Sequence, residues 1–347
     1  MPRKSGPPAA PPTGRAAPVT RTNQNGRAGL LALVAFGLFA SHDAIIKNLG
    51  ASYSPFQIVF FSVLFTFPLS TFYLMGDRTS ATLLPRNPGW VLLRTVAAVF
   101  TAVSVFFAFS LLPLAQVYAI LFATPLIITL LSIPLLGETV RLHRWLAIVV
   151  GLIGVVVTLR PGTTDLELGH AAALLAAFLG ALSAIVMRKV GGGERALVLI
   201  LYPLAANFVL MGCLLPMYYE PVPLEDLAKS AAAAALSFGG MLFTIAAYRI
   251  GSASVVAPMQ YSQILWATVY GALFFGEALD SYTAVGAGIV IASGLYIVLR
   301  ERSPGTSSFK PVLRTRPRME AGTVVTASGA PENSEDDDRP DRPLRPR

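Results

Sequence analysis

The chain has one cysteine, Cys213, and three histidines, His42, His143 and His170. A single thiol excludes an intramolecular disulfide and a cysteine zinc cluster. Three scattered imidazoles offer no metal-ligand spacing, so no metal centre is expected. Charge is also scarce: Asp, Glu, Lys and Arg make up 13 % of the 347 residues, about half the share of a soluble domain. So few charges cannot coat a water-soluble body of this size. There is no Walker loop, nucleophile elbow, HExxH pair or haem-attachment motif. Neither ATP-driven pumping nor an enzyme is indicated, and no cofactor is expected.

What is present is apolar: 54 % of the residues are hydrophobic. The net charge of +8 gathers in the tails and short loops, where a lipid bilayer explains it better than nucleic acid. Residues 1–28 contain Pro2, Pro7, Pro8, Pro11, Pro12 and Pro18. Residues 303–347 carry the acidic run from Glu335 to Asp338. Neither segment has the apolar surface to offset the entropy of ordering, so both read as disordered tails. The first apolar run begins near residue 29, too late for a cleavable signal peptide.

A helix crossing the hydrocarbon needs about 20 apolar residues. Ten runs qualify: 29–49, 55–75, 89–111, 113–136, 142–159, 168–188, 195–216, 231–249, 253–275 and 281–299. They are continuous rather than alternating, which excludes an outer-membrane barrel and predicts an all-α polytopic membrane protein. With a cytoplasmic N-terminus the inner loops collect Arg78, Arg86, Arg141, Arg144, Arg188, Lys189, Arg195 and Arg249. Only Lys47, Arg160 and Lys229 fall outside. This predicts a multi-pass chain with both tails in the cytoplasm.

The chain repeats itself. Leu136-Gly137-Glu138 follows span four, and Phe275-Gly276-Glu277 follows span nine, 139 residues later. At that offset Val117 matches Val256, Leu126 matches Leu265 and Ala108 matches Ala247. After one gap, Gly154 matches Gly294. The reading is a five-helix unit over 29–160 and a second over 168–302. Five is odd, so the second unit enters the membrane inverted, an arrangement associated with transporters.

With these paired junctions, and with the run Ala247-Tyr248-Arg249-Ile250-Gly251-Ser252-Ala253 before span nine, residues 29–302 resemble the EamA-type members of the drug/metabolite transporter superfamily. The resemblance implies a secondary transporter that moves a small organic metabolite by alternating access, coupled to protons or to exchange, with export as the family-level expectation. A non-transporting membrane scaffold or sensor is the alternative. Many relatives carry an Arg inside span two. Here that position reads Phe60-Phe61-Ser62, so no role for it is carried over.

Charges inside spans point to function or to an interface. His42 and Asp43 in span one are coupling candidates. The competing reading pairs Asp43 with Lys47 at i,i+4 as a helix-end ion pair. Arg94 in span three either snorkels or contacts an anionic group of the solute. Glu138 and Glu277, each following a helix-ending glycine, read as structural acids at the start of a helix. Tyr118 and Phe122 in span four are expected to line a solute cavity, with Gln260, Tyr261, Gln263 and Trp266 in span nine; the competing reading is helix packing and interfacial belts. Tyr270 shares a face with Gln263 and Trp266, and also fits an interfacial belt. Kinks are expected at Pro125 and Pro258. Small-residue rows at Ala147 and Gly151, and at Ala284, Gly288 and Ala292, permit close helix approach, either within the chain or in a homodimer.

Overall fold

The structure, a computed structural model, describes residues 19–74, 83–138, 140, 142–160, 167–191, 193–251 and 253–300. Most of both expected tails, together with Arg78 and Arg141, lies outside these residues. The helices are α1 (Val19–Gly50), α2 (Pro55–Leu74), α3 (Pro88–Leu111), α4 (Leu114–Leu121), α5 (Thr124–Leu136), α6 (Leu142–Leu159), α7 (Leu168–Val190), α8 (Ala196–Tyr218), α9 (Leu224–Ile250), α10 (Ala253–Val256), α11 (Gln263–Phe275) and α12 (Ser281–Arg300). A 3-10 turn, Ala257–Ser262, joins α10 to α11. No strand occurs among the described residues.

Seven stretches are long and apolar enough to cross a membrane, and two shorter apolar helices, Pro55–Leu69 and Ser281–Ile297, accompany them. The broken segment 253–275 completes the ten expected spans. Two boundaries differ from expectation. Helix α1 begins at Val19, inside the stretch read as a tail, because extending an existing helix needs no new nucleus. Ala28 in that extension is fully buried, packed so closely that a Cβ on Gly251 would overlap it. Helix α9 begins at Leu224 rather than near 231, with Glu225 and Asp226 in its first turn, where the helix dipole favours acids.

The surface is inverted relative to a soluble protein. Leu92, Phe100, Ile153 and Leu265 point outward, each more than half exposed, whereas Asp43, Arg94 and Gln263 are buried. An apolar surface this extensive is what lipid contact requires.

Packing bears out the repeat. Helix α1 lies along α9, and its counterpart α7 lies along α3, which is the counterpart of α9. The counterpart pairs α2 with α8 and α6 with α12 meet across the same pseudo-two-fold axis, and span four meets span nine where α4 packs on α11. At the last seam Gly154 and Gly286 touch backbone to backbone, and the Ser293 hydroxyl donates to the Ala147 carbonyl. The row Ala284, Gly288 and Ala292 is not part of this seam: all three face outward.

The Gly-Glu junctions are equivalent in three dimensions. Gly137 (φ 70°) and Gly276 (φ 64°) end α5 and α11 in the left-handed conformation, which glycine adopts without a Cβ clash. The next amide reaches back six residues in each case: Glu138 N–H to Ser132 O at 3.3 Å, and Glu277 N–H to Gly271 O at 2.9 Å. At the end of the bundle where α1 finishes, Tyr53 donates to Asp226 Oδ2 at 2.7 Å. That carboxylate holds the phenol above its ordinary value of 10.0.

Candidate functional site

Spans four and nine break at the same depth. Helix α4 ends at Leu121, Phe122 is its C-cap, and α5 resumes at Thr124 with Pro125 in its first turn. In span nine Pro258 opens the 3-10 turn, and α11 resumes at Gln263. Proline has no N–H for the carbonyl four residues back, so the expected kinks are full interruptions. The ladder tightens to i+3 bonds there, with Ala123 N–H to Ile120 O at 3.0 Å. The breaks bring the repeat-equivalent Phe122 and Tyr261 edge to face, 5.1 Å between ring centres. The Tyr261 hydroxyl rests on Gly294 of α12, where a Cβ would overlap it.

Against this pair sits a buried polar network. His42 Nδ1 lies 2.7 Å from Asp43 Oδ1, and the Tyr118 hydroxyl donates to Asp43 Oδ2. Gln263 Nε2 donates to the Tyr118 oxygen at 3.4 Å. Asp43 is 1 % exposed and His42 3 %. Rings surround them: Phe106 is 6.2 Å from the His42 ring, and Phe109 and Phe122 are 5.8 and 6.0 Å from Tyr118. Phe106 and Phe109 are additions to the residues expected from sequence; their i,i+3 spacing in span three was the available signal.

The expected Asp43–Lys47 ion pair is not formed. Lys47 Nζ contacts Glu277 Oε1 at 2.8 Å, and it also donates to Leu112 O at 2.5 Å and Phe109 O at 3.3 Å. The carbonyls closing α3 are orphans of a helix end, and with Glu277 they give the ammonium more acceptors than Asp43 offers. Glu277 Oε2 accepts the Leu114 N–H at the start of α4, at 3.0 Å. Glu277 therefore caps a helix of the opposite repeat rather than the helix that follows it. Its counterpart Glu138 pairs with Arg188 at the end of α7, the equivalent of α1. Each repeat thus grips the other through one Gly-Glu junction, at opposite ends of the bundle.

Not every residue of the expected cavity joins the network. Trp266 packs on Gly37 and stacks on Tyr270 at 6.2 Å, while the Tyr270 hydroxyl lies 2.8 Å from Ser41 Oγ. Gln260 is half-buried in the 3-10 turn. Tyr270 instead lines a cavity of about 490 Å³ with Ser41, Asn48, Lys229, Phe274 and Phe275, where α1, α9 and α11 meet. Ser41 and Asp43 are two residues apart, about 200° around a helix, so the cavity and the network flank opposite sides of α1.

Arg94 does not snorkel. It is 5 % exposed; its Nη1 donates to the Leu199 carbonyl and its Nη2 lies 3.7 Å from Met187 Sδ. Leu199 O is available because its i+4 partner is Pro203, inside α8, which has no N–H to give. No group of three or more His, Cys, Asp or Glu that could hold a metal occurs among the described residues.

The sequence profile of the EamA-like transporter family matches residues 26–160 and 167–299. The S-adenosylmethionine uptake transporter of Rickettsia prowazekii (strain Madrid E) is 26 % identical over 80 % of this chain and 93 % of its own. The pseudopaline exporter CntI of Pseudomonas aeruginosa (strain UCBPP-PA14) is 26 % identical over 76 % of this chain and 93 % of its own. The riboflavin transporter of Rhizobium johnstonii (strain DSM 114642 / LMG 32736 / 3841) is 27 % identical over 55 % and 65 %. One solved crystal structure covers 80 % of this chain and 99 % of its own with a TM-score of 0.54 at 18 % identity, a likeness of fold alone. With one EamA repeat in each half and a polytopic helical body, the chain belongs to the EamA-like transporter family and is a membrane-embedded small-molecule transporter, not an enzyme.

Proposed function

We propose that the protein moves a small organic metabolite across a bacterial inner membrane by alternating access, with both tails cytoplasmic, export as the working direction, and His42 and Asp43 as the proton-coupling pair. The observation that carries this reading is the pair of helix breaks on the pseudo-two-fold axis, meeting a buried carboxylate and imidazole. Discontinuous helices near the midplane are where inverted-repeat transporters bind solute and coupling ion. The His42 imidazole and the Asp43 carboxylate lie 2.7 Å apart and away from water, so one bound proton changes the net charge of the pair. Tyr118, Phe122, Tyr261 and Gln263 supply rings and one amide for an uncharged or zwitterionic body. Gln260 and Trp266 stand at the margins of that surface. The cavity beside Tyr270 has the volume of a small-molecule site and is the proposed vestibule. The names of the relatives include both uptake and export, and S-adenosylmethionine, pseudopaline and riboflavin belong in the first solute panel.

The test is flux in proteoliposomes between pH 5 and 8, with a proton gradient and, separately, as solute exchange. Asp43→Asn should abolish gradient-driven flux and its pH dependence while exchange survives, because exchange needs alternating access without net proton movement. A variant with unaltered gradient-driven flux and pH profile removes Asp43 from coupling. If wild type shows neither flux nor exchange with any solute, and cysteines at Phe122 and Gln263 resist aqueous reagents from both sides, the chain is a scaffold.

A further inference from the structure

Arg94 carries a charge that its observed contacts do not require. Its guanidinium lies between α3, α7 and α8, and its acceptors are the Leu199 carbonyl and the Met187 thioether. A neutral donor would satisfy the carbonyl freed by Pro203 equally well. Burying a cation is costly unless an anion pairs with it, and Arg94 forms no ion pair among the described residues. Its Nε has no hydrogen-bond partner. Two more buried hydroxyls on the packed pair α3 and α7 have no hydrogen-bond partner: Thr95, next in the chain, and Ser183, one turn from Met187. Arg86, Lys189 and Arg195 surround this end of the bundle. Its acids are already engaged, Glu138 with Arg188 and Glu194 with the Asn87 amide.

We infer that Arg94 is an oxyanion-binding residue whose guanidinium is parked on the Leu199 carbonyl in the observed conformation. The site is separate from the His42–Asp43 network. Arg94 and Phe106 stand twelve positions apart on α3, about 18 Å of helix. The ligand is a carboxylate or phosphate, carried by the solute or by a lipid headgroup. Pro203 leaves α8 without one internal hydrogen bond at the level of Leu199, so α8 can swing away from α3 there and free the guanidinium to take a bidentate anion. The anion then favours the open form by binding it alone. The inference rests on the proposed alternating access only for that motion. Binding measured without transport separates its failure from the failure of that reading.

The experiment uses the full chain in a non-ionic detergent that contains no phosphate. Thermal unfolding is followed as inorganic phosphate replaces chloride at constant ionic strength, for wild type, Arg94→Lys and Arg94→Gln. Gln keeps a donor for Leu199 and removes the charge. The expected result is a saturable upward shift in wild type, smaller in Arg94→Lys and lost in Arg94→Gln. The same comparison in phosphatidylcholine vesicles, with and without phosphatidylglycerol, assigns the source. An Arg94-dependent shift produced by phosphatidylglycerol and not by free phosphate identifies a lipid headgroup. A Ser183→Cys reporter in a Cys213→Ser background, with Arg94 intact, should label faster with a soluble maleimide when phosphate is present. Equal shifts in wild type and Arg94→Gln, or labelling indifferent to both anions, overturns the inference.

Discussion

Asp43 ties α1 to α4 through a single carboxylate, and through Tyr118 to α11 as well. Removing the Tyr118 hydroxyl takes one donor from a carboxylate 1 % exposed. We predict that Tyr118→Phe loses about 1–3 kcal/mol of stability, read by thermal unfolding of the purified protein, because buried acceptors without donors carry their desolvation cost. It should also shift the pH profile of gradient-driven flux, since the carboxylate of the proposed coupling pair loses a hydrogen-bond donor. A loss of stability with an unmoved profile would make Tyr118 a packing residue only. This network was half legible in the sequence. A His-Asp pair inside an apolar run stands out because water is absent there. Lys47, one turn further along α1, was the natural partner for Asp43. It bonds elsewhere because the closing carbonyls of α3 and the Glu277 carboxylate converge on it, a fact of tertiary packing.

At the scale of elements, the proline breaks and the glycines opposite them govern the geometry. Gly294→Ala should push the Tyr261 ring off α12 and disturb its edge-to-face contact with Phe122, at a cost of about 1–3 kcal/mol for overpacking. Substrate affinity in binding or flux assays should fall with it, whereas Gly288→Ala, where a Cβ meets open space, should leave both unchanged. Helix α8 offers a sharper test. Pro203→Ala restores an N–H to Leu199 O and should stabilise α8 by up to about 3 kcal/mol, the scale of an interior proline. It should also slow turnover if α8 bends there. In the Pro203→Ala background, Arg94→Gln should cost less stability than in wild type, because the carbonyl no longer depends on α3. Equal costs in the two backgrounds would show that Arg94 and Pro203 act independently. Pro125 and Pro258 were visible in the sequence as breakers. The pairing of Pro203 with Arg94, 109 residues earlier in the chain, was not, because it depends on α3 and α8 lying side by side.

For the whole molecule, the two Gly-Glu junctions hold opposite ends of one pseudo-symmetric body. Glu277→Gln should loosen the end held by Lys47, and Glu138→Gln the end held by Arg188. We expect them to bias aqueous access in opposite directions, read as maleimide labelling of a cysteine at Phe122 from each side of sealed vesicles. The same bias from both variants would show that the junctions merely staple the fold. Single cysteines at Ser5 and Ser307, in a Cys213→Ser background, should resist an impermeant reagent in intact cells; labelling of either from outside reverses the proposed orientation. Class, spans and repeat were all legible in the amino-acid order alone. Apolar length forces a helix in lipid, because every backbone group must be satisfied within its own segment. The odd helix count of the repeated unit, together with the paired Gly-Glu junctions, implies the inversion. Which buried charges meet was settled by packing, since it depends on which helices adjoin and how each rotates about its axis. Lys47 therefore pairs with Glu277, Asp43 meets Tyr118, and Arg94 is held at a carbonyl that a distant proline left open.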